Sequence, residues 1–380
     1  MDAQFFTLLR DFLSLKPVNA LTYPSNKSST DVQDFLLNHV LLNLHAIAYP
    51  PSSQYQKRFW KWAIEHLEEA ARTLDESDAF EIDAQIYEHY LSLMHPTTPP
   101  SSNNGPCLLQ ELPPAQSYVT HFWDIRASSV KPSSSEATID ASNFHTITLL
   151  ESRTTIESGT TGLRTWLASF VLAQYLILHP ELVCSKRVLE LGSGTGFLGI
   201  IAASLQSLQE TPEIMGSTSS STLWLTDIHE EVLQRCQNNV SLPCNLSSSH
   251  SNVKHMKLDW FDSLDSDGDG LRRLTTHLQD QIEPEIILGA DLLFDPSLIH
   301  ALVSTLKIAL QPLNARKIAL IALTKRKEET YALLQSEIEK ASLYMQEISS
   351  GFEKTCFSDT FEANDSLTNV KLFAITLSPA

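Results

Sequence analysis

The sequence predicts an α/β protein: a mostly parallel sheet covered on both faces by helices, with a helical N-terminal domain ahead of it. Three observations lead there. From Gly162 onward, short apolar runs alternate with segments of helical period, the pattern of successive βαβ units. Before about residue 95 the apolar residues recur at helical spacing throughout. Glycine is scarce, at 12 in 380 residues, yet four glycines fall between Gly192 and Gly199, where a strand-like run meets a helix-like one.

The elements follow in order. Gln4 to Leu15 sets Phe5, Leu8, Leu9, Phe12 and Leu13 on one helical face. Asp31 to Ala48 repeats the period behind a Ser-Ser-Thr-Asp cluster suited to capping. Tyr55 to Leu74 and Asp78 to Met94 follow a Pro50-Pro51 stop. Residues 1–95 therefore read as one helical domain, with Phe59, Trp60 and Trp62 in its core and rim. Residues 96–114, rich in Pro, Ser and Asn, read as a linker, and 115–380 as a second domain.

That domain opens on two strands, Ser117 to Phe122 and Phe144 to Glu151, around a Pro/Ser/Thr loop near 131–138. An apolar helix, Leu163 to Leu178, leads to the strand Arg187 to Leu191 and, past the glycines, the helix Leu198 to Leu208. Strands at Thr222–Thr226, Val253–Leu258, Glu285–Gly289 and Lys317–Leu323 come next, with helices at His229–Val240, Pro296–Leu310 and Lys327–Ala341. Residues 209–221 and 262–283 read as loop insertions. Leu343–Ser349 and Val370–Leu377 have no helix between them and can pair antiparallel across a polar segment, 359–369.

Composition narrows the function. The chain carries 27 Lys and Arg against 45 Asp and Glu, a net −18 shared between residues 1–150 (−8) and 151–380 (−10). Nucleic-acid binding needs phosphate neutralisation by cations, so no direct nucleic-acid partner is expected. The five cysteines, Cys107, Cys184, Cys236, Cys244 and Cys356, form no C-x-x-C pair, and no close His/Cys cluster occurs. Neither a disulfide framework nor a metal site is expected. The residues after Met1 lack a basic leader, and no stretch of 18 apolar residues occurs. The expectation is a cytoplasmic monomer with no membrane contact.

The glycine cluster carries the chemistry. A strand running through a glycine turn into a helix lets backbone approach a ligand closely and aims N–H groups at it. Gly194-x-Gly196-x-x-Gly199 matches a dinucleotide fingerprint. Glu190-x-Gly192-x-Gly194-x-Gly196 matches the S-adenosylmethionine loop of class I methyltransferases. In the dinucleotide fold a ribose-binding acid follows about 20 residues on. Here Asp227 is the acid at the second strand end, and the insertion before it weakens that comparison. Glu190, two residues before the turn, favours S-adenosylmethionine: its carboxylate suits a cationic amino-acid end and would repel a pyrophosphate.

Four segments then carry a resemblance: Glu157-Ser-Gly-Thr-Thr-Gly-Leu-Arg-Thr-Trp166, the Glu190–Gly199 loop, Leu258-Asp259-Trp260, and Gly289-Ala290-Asp291-Leu-Leu-Phe294-Asp-Pro296. Trp166 through Pro296 resembles the seven-β-strand protein lysine methyltransferases. The whole chain is similar to the eukaryotic elongation factor 2 lysine methyltransferase family, in a fungal-like form. The resemblance implies a seven-stranded Rossmann-like class I methyltransferase sheet, S-adenosylmethionine as cofactor, and translation elongation factor 2 as protein substrate.

It also implies roles. Gly192, Ser193 and Gly194 line the methionine end of the cofactor, Asp227 accepts from the ribose, and Trp260 lies against the adenine with Asp259 nearby. Trp166 and Ala290 touch the cofactor as well. Asp291 and Phe294, the Asp-x-x-Phe form of the family's Asp-x-x-Tyr/Phe signature, face the methyl-transfer centre. Each has a plainer alternative. Trp166, Trp260 and Phe294 can be core packing, and Asp227 and Asp291 can be helix caps, although Asp295 is better placed than Asp291 to cap.

Overall fold

The computed structural model describes residues 1–73, 80–94, 116–124, 138–209, 221–265, 268–311, 316–348, 357 and 367–378. The expected linker 96–114, the loop near 131–138, the insertion 209–221 and the connection 359–369 lie wholly or almost wholly outside them. The chain divides into two compact units, Met1–Asp124 with Ser129–Thr155, and Ile125–Ser128 with Ile156–Ala380.

In the first unit, α1 (Ala3–Leu13) begins where the Asp2 carboxylate accepts the Gln4 N–H. The single helix expected over 31–48 is three pieces: α2 (Ser29–Phe35), a π-helical stretch Leu36–Leu41, and α3 (Leu44–Ala48). The cause is Asn43, whose side chain accepts the N–H groups of His45 and Ala46 and so starts a new helix. Then come α4 (Ser53–Thr73) and α5 (Ala84–Ser92), the latter capped by Asp83. Phe12, Phe59, Trp60, Val32, Phe35, Leu67 and Ile86 form the core.

Strands β1 (Ser117–Trp123) and β2 (His145–Glu151) pair antiparallel, Ser117 opposite Glu151. The sequence reading opens the second domain at residue 115, whereas this hairpin lies in the first unit. Phe6 of α1 packs against Phe122 and Phe144, with ring centroids 5.5 and 4.7 Å away. His45 Nε2 lies 3.0 Å from Thr120 Oγ1 and 3.1 Å from Thr148 Oγ1.

The second unit runs α6 (Leu167–Leu178), β3 (Arg187–Leu191), α7 (Phe197–Gln209), β4 (Thr222–Asp227), α8 (Glu230–Val240), β5 (Val253–Lys257), α9 (Asp269–Thr276), β6 (Ile286–Ala290), α10 (Ile299–Leu310), β7 (Ile318–Thr324), α11 (Glu328–Lys340), β8 (Leu343–Ile348) and β9 (Val370–Leu377). Seven strands form one sheet in the order β5-β4-β3-β6-β7-β9-β8. All neighbours are parallel except β9, antiparallel to both β7 and β8. The last two strands thus pair as their missing helix implies.

Central strands are apolar because both faces are covered; Val188, Leu189 and Leu191 of β3 are fully buried. Edge strand β5 instead exposes Lys254 and Lys257, which discourages further strand pairing. One expected loop is structured. Within 262–283, α9 and a π-helical stretch His277–Ile282 bury Leu274, Leu278 and Ile282 in the core shared with β6 and α10.

Candidate active site

Consecutive crossovers run from β3 outward to β4 and β5, then back across to β6 and β7. A crevice opens at such a switch point, beyond the carboxyl ends of the strands. The sequence-selected residues Glu190, Gly192, Ser193, Gly194, Asp227, Trp260, Ala290 and Asp291 all lie at or just past the carboxyl ends of β3, β4, β5 and β6, and Trp166 immediately precedes α6.

The loop after β3 is fixed by its own backbone. Gly192, Gly194 and Gly196 have φ of +62°, +54° and +91°, a left-handed region that side chains with a Cβ resist. Ser193 N–H donates to Thr226 O at 2.8 Å, and Thr226 N–H returns to Ser193 Oγ at 2.9 Å, tying the turn to β4. A Cβ at Gly192 would meet Leu292 Cδ2 at 2.8 Å and the Trp260 ring at 3.7 Å. A Cβ at Gly194 would stand 3.2 Å from Gly162 O. Glycine is therefore what lets the segments before α6 and after β5 and β6 close on this turn.

Asp227 ends β4 with both carboxylate oxygens used. Oδ2 accepts the Gly194 N–H at 3.3 Å, and Oδ1 accepts the His229 N–H at 3.1 Å, at the start of α8. It is a cap and also a tie to the glycine turn. Burial pushes its carboxyl above the usual range, against the pull of those two N–H groups.

Glu190, expected at the cationic end of the cofactor, is buried next to the loop. The residue is 3% exposed, below the loop, close to Gly199 and Ser193. Among the described residues its Oε2 has no hydrogen-bond partner. Burial pushes its carboxyl up to about 8, although Ser193 and the Gly199 N–H favour the charged form. The carboxyl group thus lies between the glycine turn and the first turn of α7.

Trp260 opens a 3₁₀ turn, Trp260–Leu264, capped by Asp259, which accepts the Phe261 N–H. Trp166 Nε1 donates to Thr161 O at 3.0 Å, folding the preceding loop, and Thr165 Oγ1 lies 2.9 Å from Thr195 Oγ1. Ala290 ends β6 opposite Ala322, half-buried.

Asp291 is the unusual residue. Its φ is +53°, left-handed without being glycine. Its N–H donates to Ala322 O at 2.8 Å, and its carboxylate accepts Thr324 N–H at 3.1 Å and an Arg326 guanidinium N–H at 2.9 Å. A strained conformation held by three bonds points to function more than to accident. Capping falls to Asp295, which accepts the Ser297 N–H. Phe294, 58% exposed, lines a groove of about 130 Å³ with Leu293, Leu323, Tyr331 and Phe373, rimmed by Lys325, Arg326, Lys327 and Lys371.

Residues 145–341 match the lysine methyltransferase family. The chain belongs to that family. It is 38% identical over 162 residues to the protein-lysine N-methyltransferase EFM3 of Chaetomium thermophilum, across 42% of each chain. It is 30% identical over 166 residues to the protein-lysine N-methyltransferase EEF2KMT of Homo sapiens, across 42% of this chain and 44% of that one. It is likewise 30% identical over 152 residues to methyltransferase-like protein 22 of Mus musculus, across 38% and 34%. The matched segment spans less than half the length of these relatives.

For a family member, the crevice suits S-adenosylmethionine on its own geometry. The glycine cradle admits close approach, a carboxylate stands at the end of β4, and an aromatic ring lies against Gly192. Sequence reasoning missed Arg326, Thr165 and Leu292 at this edge. The signal for Arg326 was available: a pair of cations, Lys325 and Arg326, directly after an apolar strand that neighbours the strand leading into Asp291. Among the described residues no His, Cys, Asp and Glu cluster could hold a metal ion, and no helix is long and apolar enough to cross a membrane.

Proposed function

We propose that this protein is an S-adenosylmethionine-dependent protein-lysine N-methyltransferase whose substrate is translation elongation factor 2. One observation carries the reading. A glycine cradle after β3 and a restrained carboxylate, Asp291, after the adjacent β6 flank one crevice in a lysine methyltransferase family chain. The choice of elongation factor 2 is supported by the motif resemblance at Glu157–Trp166 and Asp291–Phe294 and by the similarity to EFM3 and EEF2KMT. The chain is also similar to methyltransferase-like protein 22, and the test below therefore uses elongation factor 2 itself.

S-adenosylmethionine, when bound, supplies an electrophilic methyl group. Gly192, Ser193, Gly194, Asp227, Trp260, Trp166 and Ala290 are the residues we assign to holding it, with Glu190 bracing the turn beneath. The acceptor must be a neutral amine, because an ammonium has no free lone pair. A free lysine, with pKa near 10.4, is only about 0.1% neutral at about pH 7.4. Asp291 orients the amine by accepting a hydrogen bond, Phe294 gives its alkyl stem an apolar wall, and the proton leaves to water. We assign the N-terminal helices to protein-substrate recognition, and a cytoplasmic monomer as the working form. The scattered cysteines suit a reducing compartment.

The test is the full chain with radiolabelled S-adenosylmethionine and purified elongation factor 2, followed by mass spectrometry of the product. Label on a lysine is the expected result. Asp291→Ala should abolish transfer while calorimetry shows cofactor affinity kept. Lost cofactor affinity would make Asp291 a binding residue instead, and no label with wild-type protein would reject the substrate assignment.

A further inference from the structure

We propose that Arg326 is a positioning residue for the acceptor amine: it neutralises Asp291, so that this carboxylate can orient a lysine without holding it as an ammonium ion. The inference rests on the lysine-methylation reading and adds a specific residue to it.

The geometry is an ion pair set into the crevice edge. An Arg326 guanidinium nitrogen lies 2.9 Å from Asp291 Oδ2, and the Thr324 N–H takes the other oxygen. The Asp291 side chain is 6% exposed and that of Arg326 48%. The guanidinium also lies 5.7 Å from the centre of the Trp166 ring, which holds it on a second side. Arg326 thus joins three segments of the crevice, the ends of β6 and β7 and the loop before α6.

A carboxylate within about 4–6 Å of an amine favours the charged form and raises its pKa by 1–3 units. For a methyl acceptor that is the wrong direction, since it removes tenfold or more of the reactive neutral amine. A paired carboxylate keeps lone pairs for a hydrogen bond but exerts little net field. Other charges here leave that balance in place. Lys325 is 2.8 Å from Glu328 and Lys371 is 2.8 Å from Glu347. Lys327 and Tyr331 line the groove, Asp295 caps Ser297, and Arg164 lies 5.8 Å from the Trp166 ring. Among the described residues, Arg326 is the cation at ion-pair distance from Asp291. Arginine suits the role: it never deprotonates, and its planar fork can bond a carboxylate while stacking on an aromatic face.

The experiment compares full-length wild type, Arg326→Gln, Arg326→Lys and the double variant Asp291→Asn with Arg326→Gln. Each is assayed on elongation factor 2 from about pH 6.5 to about pH 9.5 with saturating S-adenosylmethionine, and cofactor binding by calorimetry verifies an intact site. Arg326→Gln should lower kcat about tenfold near neutral pH and move the rising limb of the pH–rate profile up by about one unit. It should recover at high pH without a raised KM for the protein substrate. Arg326→Lys should keep the limb near its wild-type position. The double variant, having no bare carboxylate, should bring the limb back even with a low kcat. A uniform loss at every pH, or a limb that stays in place in Arg326→Gln while wild type is active, overturns this proposal alone. No methyl transfer to lysine by wild type overturns the functional reading and this proposal with it.

Discussion

Replacing Glu190 by glutamine removes an ionisable group that the fold holds away from water while keeping the shape of the side chain. Burial pushes this carboxyl up to about 8, from 4.5 for a free glutamate, with Asp227 adding to the rise. A raised folded pKa means the native protein binds this proton more tightly than the unfolded chain. The associated stability is fully present below about pH 4.5, falls as pH rises, and is gone above about pH 8. Each unit is worth about 1.4 kcal/mol, so the full span is on the order of 5 kcal/mol and the interval from about pH 5.5 to 7.5 about 3 kcal/mol. Glutamine does not titrate. Urea unfolding of wild type and Glu190→Gln, followed by far-ultraviolet circular dichroism from about pH 5.5 to about pH 9, should show the variant gaining on wild type by about 1.4 kcal/mol per unit and levelling off near pH 8. Any fixed offset from the altered contacts with Ser193 and Gly199 drops out of the slope. Parallel pH dependences would refute the reasoning. Glu190 would then be charged throughout, and better read as a group facing the cofactor than as a brace beneath the turn.

Two further outcomes test the site and the fold. Gly194→Ala forces a Cβ onto φ +54° and to within 3.2 Å of Gly162 O, so S-adenosylmethionine affinity measured by calorimetry should fall at least tenfold, about 1.4 kcal/mol or more, with secondary structure retained. Leu278→Ala, at a fully buried position after α9, should cost about 2–5 kcal/mol and lower the melting temperature by roughly 5 °C or more; an unchanged melting temperature would remove this segment from the core.

What the sequence made legible was local in its physics. Arg187–Leu191 and Val370–Leu377 are strands at the expected bounds, one in the sheet centre and one between β7 and β8, because their apolar runs reflect strands well covered by neighbours. The glycine turn was legible because only glycine accepts those angles cheaply. The segment 262–283 was misread because its start, Asp262 to Arg273, is polar and holds two glycines, like a turn. Yet Leu271, Leu274, Leu278 and Ile282 already carried a helical period. The break at Asn43 depended on one side chain choosing the backbone two and three residues ahead.

Pairings between distant residues were harder to see, and they shape the candidate chemistry. Asp291 and Arg326 lie 35 positions apart, joined only because β6 and β7 are neighbours and end at the same edge. Glu190 is adjacent to the loop in sequence, but the alternation of β3 turns it toward α7, where Gly199 leaves room. A motif that names the acids of such a site therefore does not give their charge states. For Glu190 and Asp227 burial raises the carboxyl, against α7 and beside the Gly194 N–H respectively, whereas Asp291 is held in an ion pair with a guanidinium. Three carboxylates near one crevice are held in three ways, and among the described residues Asp291 is the one in an ion pair with an arginine. This is why its neutralisation, more than its basicity, is the property to perturb.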